Sequence, residues 1–264
     1  MSIIDSSLRT AFEKTIMRSP RCIISPTRML STRSITIKDD VIQVLKDVYF
    51  HPTTLWAHAR GGKGKNTLTN NGDHRSSVEC VLAQIGERIY QYFNIEPNVL
   101  NNQANFDVFH ESLCDSFLQD INEIRARVDY APMSYGQAQK LINLSFKYIS
   151  CFSDYLDFAD FFTHCHIVID NVVLKNLASP MLSKMFSKTI TEKIQGLSGG
   201  RFNEHGWTDF SKEDYIALMD EYRRVISPHL ENLTYIELEY NMWPTIGPVS
   251  TTRPMQKSVS KFYI

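Results

Sequence analysis

Two stretches of this 264-residue chain carry residue types at spacings that could do chemistry. The first is Gly136-Gln-Ala-Gln-Lys-Leu-Ile-Asn-Leu-Ser-Phe-Lys-Tyr-Ile149. At about 100° per residue, Lys140, Asn143 and Lys147 fall within about 60° of one another on a helix, with Gln139 beside them. Two ammonium groups and an amide along one edge read either as a solvated lysine edge or as a polar seam facing a cleft that holds an anion, such as a nucleotide phosphate. The second stretch is His164-Cys-His166-Ile-Val-Ile-Asp170-Asn-Val-Val-Leu174. Here an apolar run meets an aspartate that opens a helix. N-capping is the common role of aspartate at that place, and the positive helix end also favours a carboxylate there.

Taken in order, Gln139-Lys140-x-x-Asn143 followed by His166-x-x-x-Asp170-x-x-x-Leu174 resembles the helix-hairpin-helix superfamily of DNA base-excision glycosylases. The pattern is similar to the divergent archaeal oxidised-guanine glycosylases, in which a Gln-Lys pair lies on a long helix and the catalytic aspartate follows a wide gap. A bacterial family of no assigned activity shares Gly-x-Ala-Gln-Lys-x-x-Asn-x-x-x-Lys-Tyr. The resemblance covers residues 134–178. It implies an all-α glycosylase-like fold, DNA as partner, Lys140 and Asp170 as the catalytic pair, and no cofactor. Gln139, Asn143, Lys147, His166 and Trp207 would contact the substrate. Asp170 would stabilise positive charge on the sugar, and a desolvated Lys140 would attack the sugar carbon. The base must leave the stack, and Trp56, Tyr135, Phe161 and Trp207 are the aromatic candidates to receive it, each with core packing as its simpler role. Two departures stand out: the Gly-rich hairpin ahead of the lysine is reduced to Gly136, and the interval between Lys140 and Asp170 is wider than in most of the superfamily. The non-catalytic alternative is a helical module that binds nucleic acid or protein.

A further basic element precedes these stretches. Residues 58–75 are rich in Gly and Asn and read as a long loop carrying Arg60, Lys63, Lys65 and Arg75, candidates for nucleic-acid contact. The formal net charge of −1 argues against a uniformly basic coat. The charge is nevertheless uneven: residues 1–75 hold 12 Lys and Arg against 6 Asp and Glu. Gly61-Gly-Lys-Gly-Lys65 lacks the framing of a phosphate-binding P-loop.

Other clusters say less. His164, Cys165 and His166 with Cys151 match no zinc-ligand spacing, so no metal is expected. Asp154, Asp157 and Asp160 read as a solvated helix end, and His110-Glu111 as an acid/base pair only if something else joins it. The five cysteines are odd in number and scattered, the usage of a reducing compartment. With no apolar run long enough to span a bilayer and no signal-peptide pattern at the N-terminus, the expected location is the cytoplasm.

The elements that must position these residues are helical. A Ser-, Thr- and Arg-rich arm over 1–35, with a short helix around Leu8–Met17, leads into a helical domain over 36–243, possessing about eight helices, and then a Pro-punctuated tail over 244–264. Helices are expected from Asp39-Asp40, from Ser77 to about Phe93, and from about Asn105 to Arg127. Ser134 and Gln137 form a capping-box pattern that opens a helix to about Leu156. Others run from Asp170 to Leu177, from Ser179-Pro180 to about Ile194, from Ser211 to about Ile226 and over about Leu233–Trp243. The segment from Leu197 to Gly206 reads as a loop, and Cys165–Ile169 is the one strand candidate.

Overall fold

The computed structural model describes residues 36–50, 72–94, 102–150, 160–198, 206–229 and 234–242. The arm, the tail, the Leu8–Met17 helix and most of the 58–75 loop lie outside them. The described residues form an all-α structure of eight helices: α1 (Lys38–Phe50), α2 (Gly72–Tyr92), α3 (Gln103–Ala126), α4 (Tyr135–Ile149), α5 (Asn171–Leu177), α6 (Lys188–Ser198), α7 (Lys212–Ile226) and α8 (Tyr235–Met242). Short 3-10 turns occupy Ser183–Met185, Trp207–Asp209 and Ser227–His229. None of these helices is long and apolar enough to cross a membrane.

The centre of the structure is α4. Ser134 accepts from the Gln137 amide while the Gln137 side chain accepts from the Ser134 amide, which closes the expected capping box. From Tyr135 to Ile149 every residue is buried, on the polar side as well as the apolar one. That follows from its neighbours: α1, α3, α7 and the Trp207–Asp209 turn all pack against it. A helix wrapped on all sides must satisfy its polar side chains internally, so the sequence edge of Lys140, Asn143 and Lys147 is not a solvated one. Replacing Ile142, fully buried on this helix, with alanine is expected to destabilise the chain by about 2–4 kcal/mol through lost contact and a residual cavity. Urea denaturation would read it, and a loss under about half a kcal/mol would contradict the packing.

Close approach is built into two glycines. A Cβ on Gly136 would lie 2.0 Å from the Trp207 carbonyl oxygen, and the Gly136 amide donates to the Phe210 carbonyl at 3.1 Å. Gly136 therefore seats the 207–210 turn against the start of α4; its role is backbone packing within the chain. A Cβ on Gly86 would meet Ile42 at 2.8 Å, which lets α1 cross α2 closely.

Several element boundaries differ from the sequence expectation. Helix α2 begins at Gly72 rather than Ser77, so Arg75 is helical: it pairs with Glu79 one turn on at 2.8 Å and lies over the Phe50 ring at 4.4 Å. Helix α4 ends at Ile149 with Ser150 as its cap, short of Leu156. Ser179-Pro180 opens a turn rather than a helix, and the helix that follows starts at Lys188 and takes in Leu197. No strand occurs among the described residues: the Cys165 amide donates to the Phe162 carbonyl, and the backbone of Ile167–Ile169 finds its partners in side chains of other elements.

Candidate functional site

Extended chain buried beside a helix must have its amides and carbonyls paired. Along Ile167–Ile169 this is done by side chains. Gln139 Nε2 donates to the Ile169 carbonyl at 2.7 Å and to the Gly136 carbonyl at 2.8 Å, while Gln139 Oε1 accepts from the Ile169 amide at 3.2 Å. Asn143 Nδ2 donates to the Ile167 carbonyl at 3.0 Å. Glu239 Oε2, from α8, accepts from the Val168 amide at 2.9 Å. Gln139 and Asn143 act as the neighbouring strand that the chain lacks there. Both were expected to touch substrate; the structure commits their amides to holding 167–169 in place.

That segment delivers Asp170. Its Oδ1 accepts from the amides of Val172 and Val173 at 2.9 and 3.1 Å, the N-cap of α5. Its Oδ2 lies 3.7 Å from the Lys140 ammonium. The same ammonium sits over the Trp207 ring, 4.4 Å from its centroid. The sequence pair Lys140 and Asp170 is therefore brought together, with Trp207 beside it. The two residues are 8% and 5% exposed, so the pair is sheltered from water without being sealed. Burial pulls the Lys140 amine below its ordinary range, with the Asp170 carboxylate acting in the opposite direction.

The remaining sequence candidates separate from this point. Lys147 is the exception within its own edge: its Nζ lies 2.5 Å from Glu239 Oε1, with side chains 1% and 0% exposed. Its ammonium is committed to a buried ion pair and does not face a cleft, which overturns the reading of Lys140, Asn143 and Lys147 as one anion-binding seam. His166 is buried in a separate polar cluster, where Nδ1 meets the Tyr215 hydroxyl and Nε2 meets Asp107, both at 2.8 Å. His110 and Glu111 do not act together; His110 is buried against Asn143 and Glu111 pairs with Lys212. Arg60, Lys63 and Lys65 lie outside the described residues, as do Trp56, Cys151, Asp154 and Asp157. Of the other aromatics, Tyr135 packs toward Tyr215 and Phe161 into the Tyr92–Phe93 cluster. Among the described residues no group of three or more His, Cys, Asp and Glu could hold a metal ion.

Sequence reasoning passed over Glu239, Asp107, Tyr215 and Arg223. Each acts through a partner far along the chain, and none sits in a local motif. The one local signal available was Thr234-Tyr-Ile-Glu237, a capping-box pattern that the structure uses to start α8. Comparisons of the chain with protein-family models, curated proteins and solved structures give no match.

Proposed function

We propose that the chain is a DNA glycosylase-like enzyme that excises a damaged or modified base, in bacterial repair or defence in the cytoplasm. The observation that carries this reading is the sheltered amine of Lys140, 3.7 Å from the Asp170 carboxylate and stacked on Trp207. Breaking an N-glycosidic bond sends the bonding electrons out with the base and leaves positive charge on the sugar. A carboxylate fixed by helix amides is suited to stabilise that charge. Lys140 in its neutral form attacks the sugar carbon, and its depressed basicity serves that step. Trp207 supplies an aromatic wall at the same place.

Charge on the flanking surface supports the same partner. From Asn171 to Ser198 the chain carries four lysines and one glutamate. Asn171, Lys175, Lys184 and Lys188 are exposed, and Lys175 and Lys184 meet no carboxylate among the described residues. Helix α3 instead carries Asp107, Glu111, Asp115, Asp120 and Glu123. Phosphate contacts are therefore expected on the α5–α6 side, where the site lies.

The competing reading is a non-catalytic binding module. It is favoured by one fact: both Asp170 oxygens are already engaged, one by α5 amides and one by Lys140. Incubating the full chain with a panel of duplexes, each holding one oxidised, alkylated or deaminated base, separates the two. Abasic sites on any member support the enzyme reading. Binding without base release across the panel, under conditions where the chain is folded, overturns it in favour of the module.

A further inference from the structure

A second set of titratable groups lies buried between α3, α4 and α7, and the proposed activity does not use it. Its hydrogen-bond directions can be fixed one after another. The Ile167 carbonyl and Gln139 Oε1 only accept, so the atom of Asn143 facing them, at 3.0 Å in each case, is Nδ2. Asn143 Oδ1 must then accept, and His110, 2.7 Å away, presents Nε2–H to it. Asn143 Nδ2 also reaches the Tyr215 oxygen at 2.9 Å, a third acceptor for two hydrogens, so one hydrogen is shared. The amide nitrogen cannot accept, and the Tyr215 oxygen is the acceptor of that contact. With Tyr215 accepting there, its own proton points at His166 Nδ1, 2.8 Å away. That nitrogen must therefore be bare, and His166 carries its proton on Nε2, facing Asp107 Oδ1 at 2.8 Å. Asp107 is held in turn by Arg223 at 2.6 Å.

We propose that His110 and His166 form an acid-sensitive lock that fastens α7 to α3 and α4 and is complete only while both imidazoles are neutral. A proton added at His166 Nδ1 takes away the acceptor for the Tyr215 hydroxyl. A proton added to His110 puts a second charge beside His166, whose ring centroid is 4.3 Å away. The groups facing the two rings are Asn143 from α4, Asp107 and Cys114 from α3, and Tyr215, Asp220 and Arg223 from α7. The Asn143 oxygen at His110 and the two aspartates favour an imidazolium, and Arg223 opposes it. Burial outweighs them: it pulls His110 well below its ordinary value of 6.5 and His166 below it too, and pushes the Tyr215 hydroxyl well up. Asp107 itself is held below the usual carboxylate range by His166, Gln103 and Arg223 against the opposing effect of burial, its largest influence, so it remains the lock's anchor in mild acid.

The sign follows from linkage. A histidine lowered in the folded state costs nothing above about 6.5, where neither state binds the proton. Below that value the unfolded chain binds protons that the folded chain refuses, and stability falls with pH. Two such rings raise the unfolding equilibrium constant by up to about a hundredfold per pH unit. Glu239, which burial pushes upward against Lys147, acts in the opposite direction, so the histidine contribution is read by difference.

The test uses the full chain and does not depend on any enzymatic activity. Urea midpoints from pH 8 to pH 5 are compared for the wild type and for His110→Gln/His166→Gln, where a glutamine amide offers the same donor as Nε2–H and cannot titrate. The lock predicts that the double variant loses the acid-dependent fall and that α7 amides of the wild type exchange faster at pH 5.5, after correction for intrinsic rates, while α1 and α2 do not. Where the double variant fails to fold, C2-proton titrations of the wild-type rings decide. Titration of both rings below 6.5 supports the lock. A ring titrating at or above 6.5, or an acid-dependent fall unchanged in the variant, overturns it.

Discussion

Replacing Glu239 with alanine is expected to cost the fold about 3–5 kcal/mol, because it takes a counter-charge from a buried ammonium. Glu239 Oε1 meets Lys147 Nζ at 2.5 Å, and its Oε2 takes the Val168 amide. Both side chains of the pair are essentially inaccessible to water. The substitution therefore removes the carboxylate nearest a buried ammonium and the acceptor of the Val168 amide, and it loosens α8 from the 167–169 segment. Lys147→Met should cost less. The remaining carboxyl keeps the Val168 amide, and its basicity, already pushed up by burial, lets it take a proton and shed the charge. The double variant Lys147→Met/Glu239→Gln removes both charges and retains an acceptor for Val168, so it should recover most of the stability lost in Glu239→Ala. Denaturant midpoints of the three variants check the order. A loss under about 1 kcal/mol for Glu239→Ala would show that the pair is hydrated and that α8 does not dock there.

The second large effect concerns Asp170, where two roles can be separated by chemistry. Asp170→Asn keeps an oxygen able to accept from the Val172 and Val173 amides, so the cap of α5 survives. It removes the negative charge beside Lys140. On the proposed reading, base release is lost by at least about a hundredfold, the scale of deleting one preorganised electrostatic stabiliser, while the fold and DNA affinity persist. Asp170→Ala removes the cap as well and should cost about 1 kcal/mol of stability on that account alone. A variant Asp170→Asn with wild-type base release on a confirmed substrate would remove Asp170 from the chemistry.

The helices were legible from local signals. Ser134 with Gln137, and Ser211 followed by Glu213 and Asp214, each mark a helix start that the structure reproduces. Asp170 reads as a cap from sequence and is one. The nearness of Lys140 to Asp170 is implied by the resemblance to the glycosylase pattern and not by local spacing, which gives only a lysine edge and a helix cap. What the sequence withholds is direction. Lys140, Asn143 and Lys147 share one edge of α4, yet they turn to α5, to α7 and to α8 respectively. Helical periodicity fixes which side chains share a face; it does not say which distant element covers that face. The partner of Lys147 lies 92 residues away in sequence. Cys165–Ile169 looks like a strand because its residues suit extended backbone, but a strand needs a neighbouring one, and here Gln139 and Asn143 take that place. Gly136 stands where the resembled superfamily has a Gly-rich hairpin; the nearness of the Trp207 carbonyl gives it a packing role here.

The central claim is that Lys140 and Asp170 form a reactive pair rather than a structural one, and covalent trapping tests it most directly. The full chain is incubated with a duplex carrying a modified base that it releases, borohydride is added, and the trapped peptide is identified by mass spectrometry. The account predicts a DNA adduct on Lys140 in the wild type, none in Lys140→Ala, and residual water-driven base release in that variant. An adduct on a different lysine, or base release by both Lys140→Ala and Asp170→Asn at the wild-type rate, would contradict it.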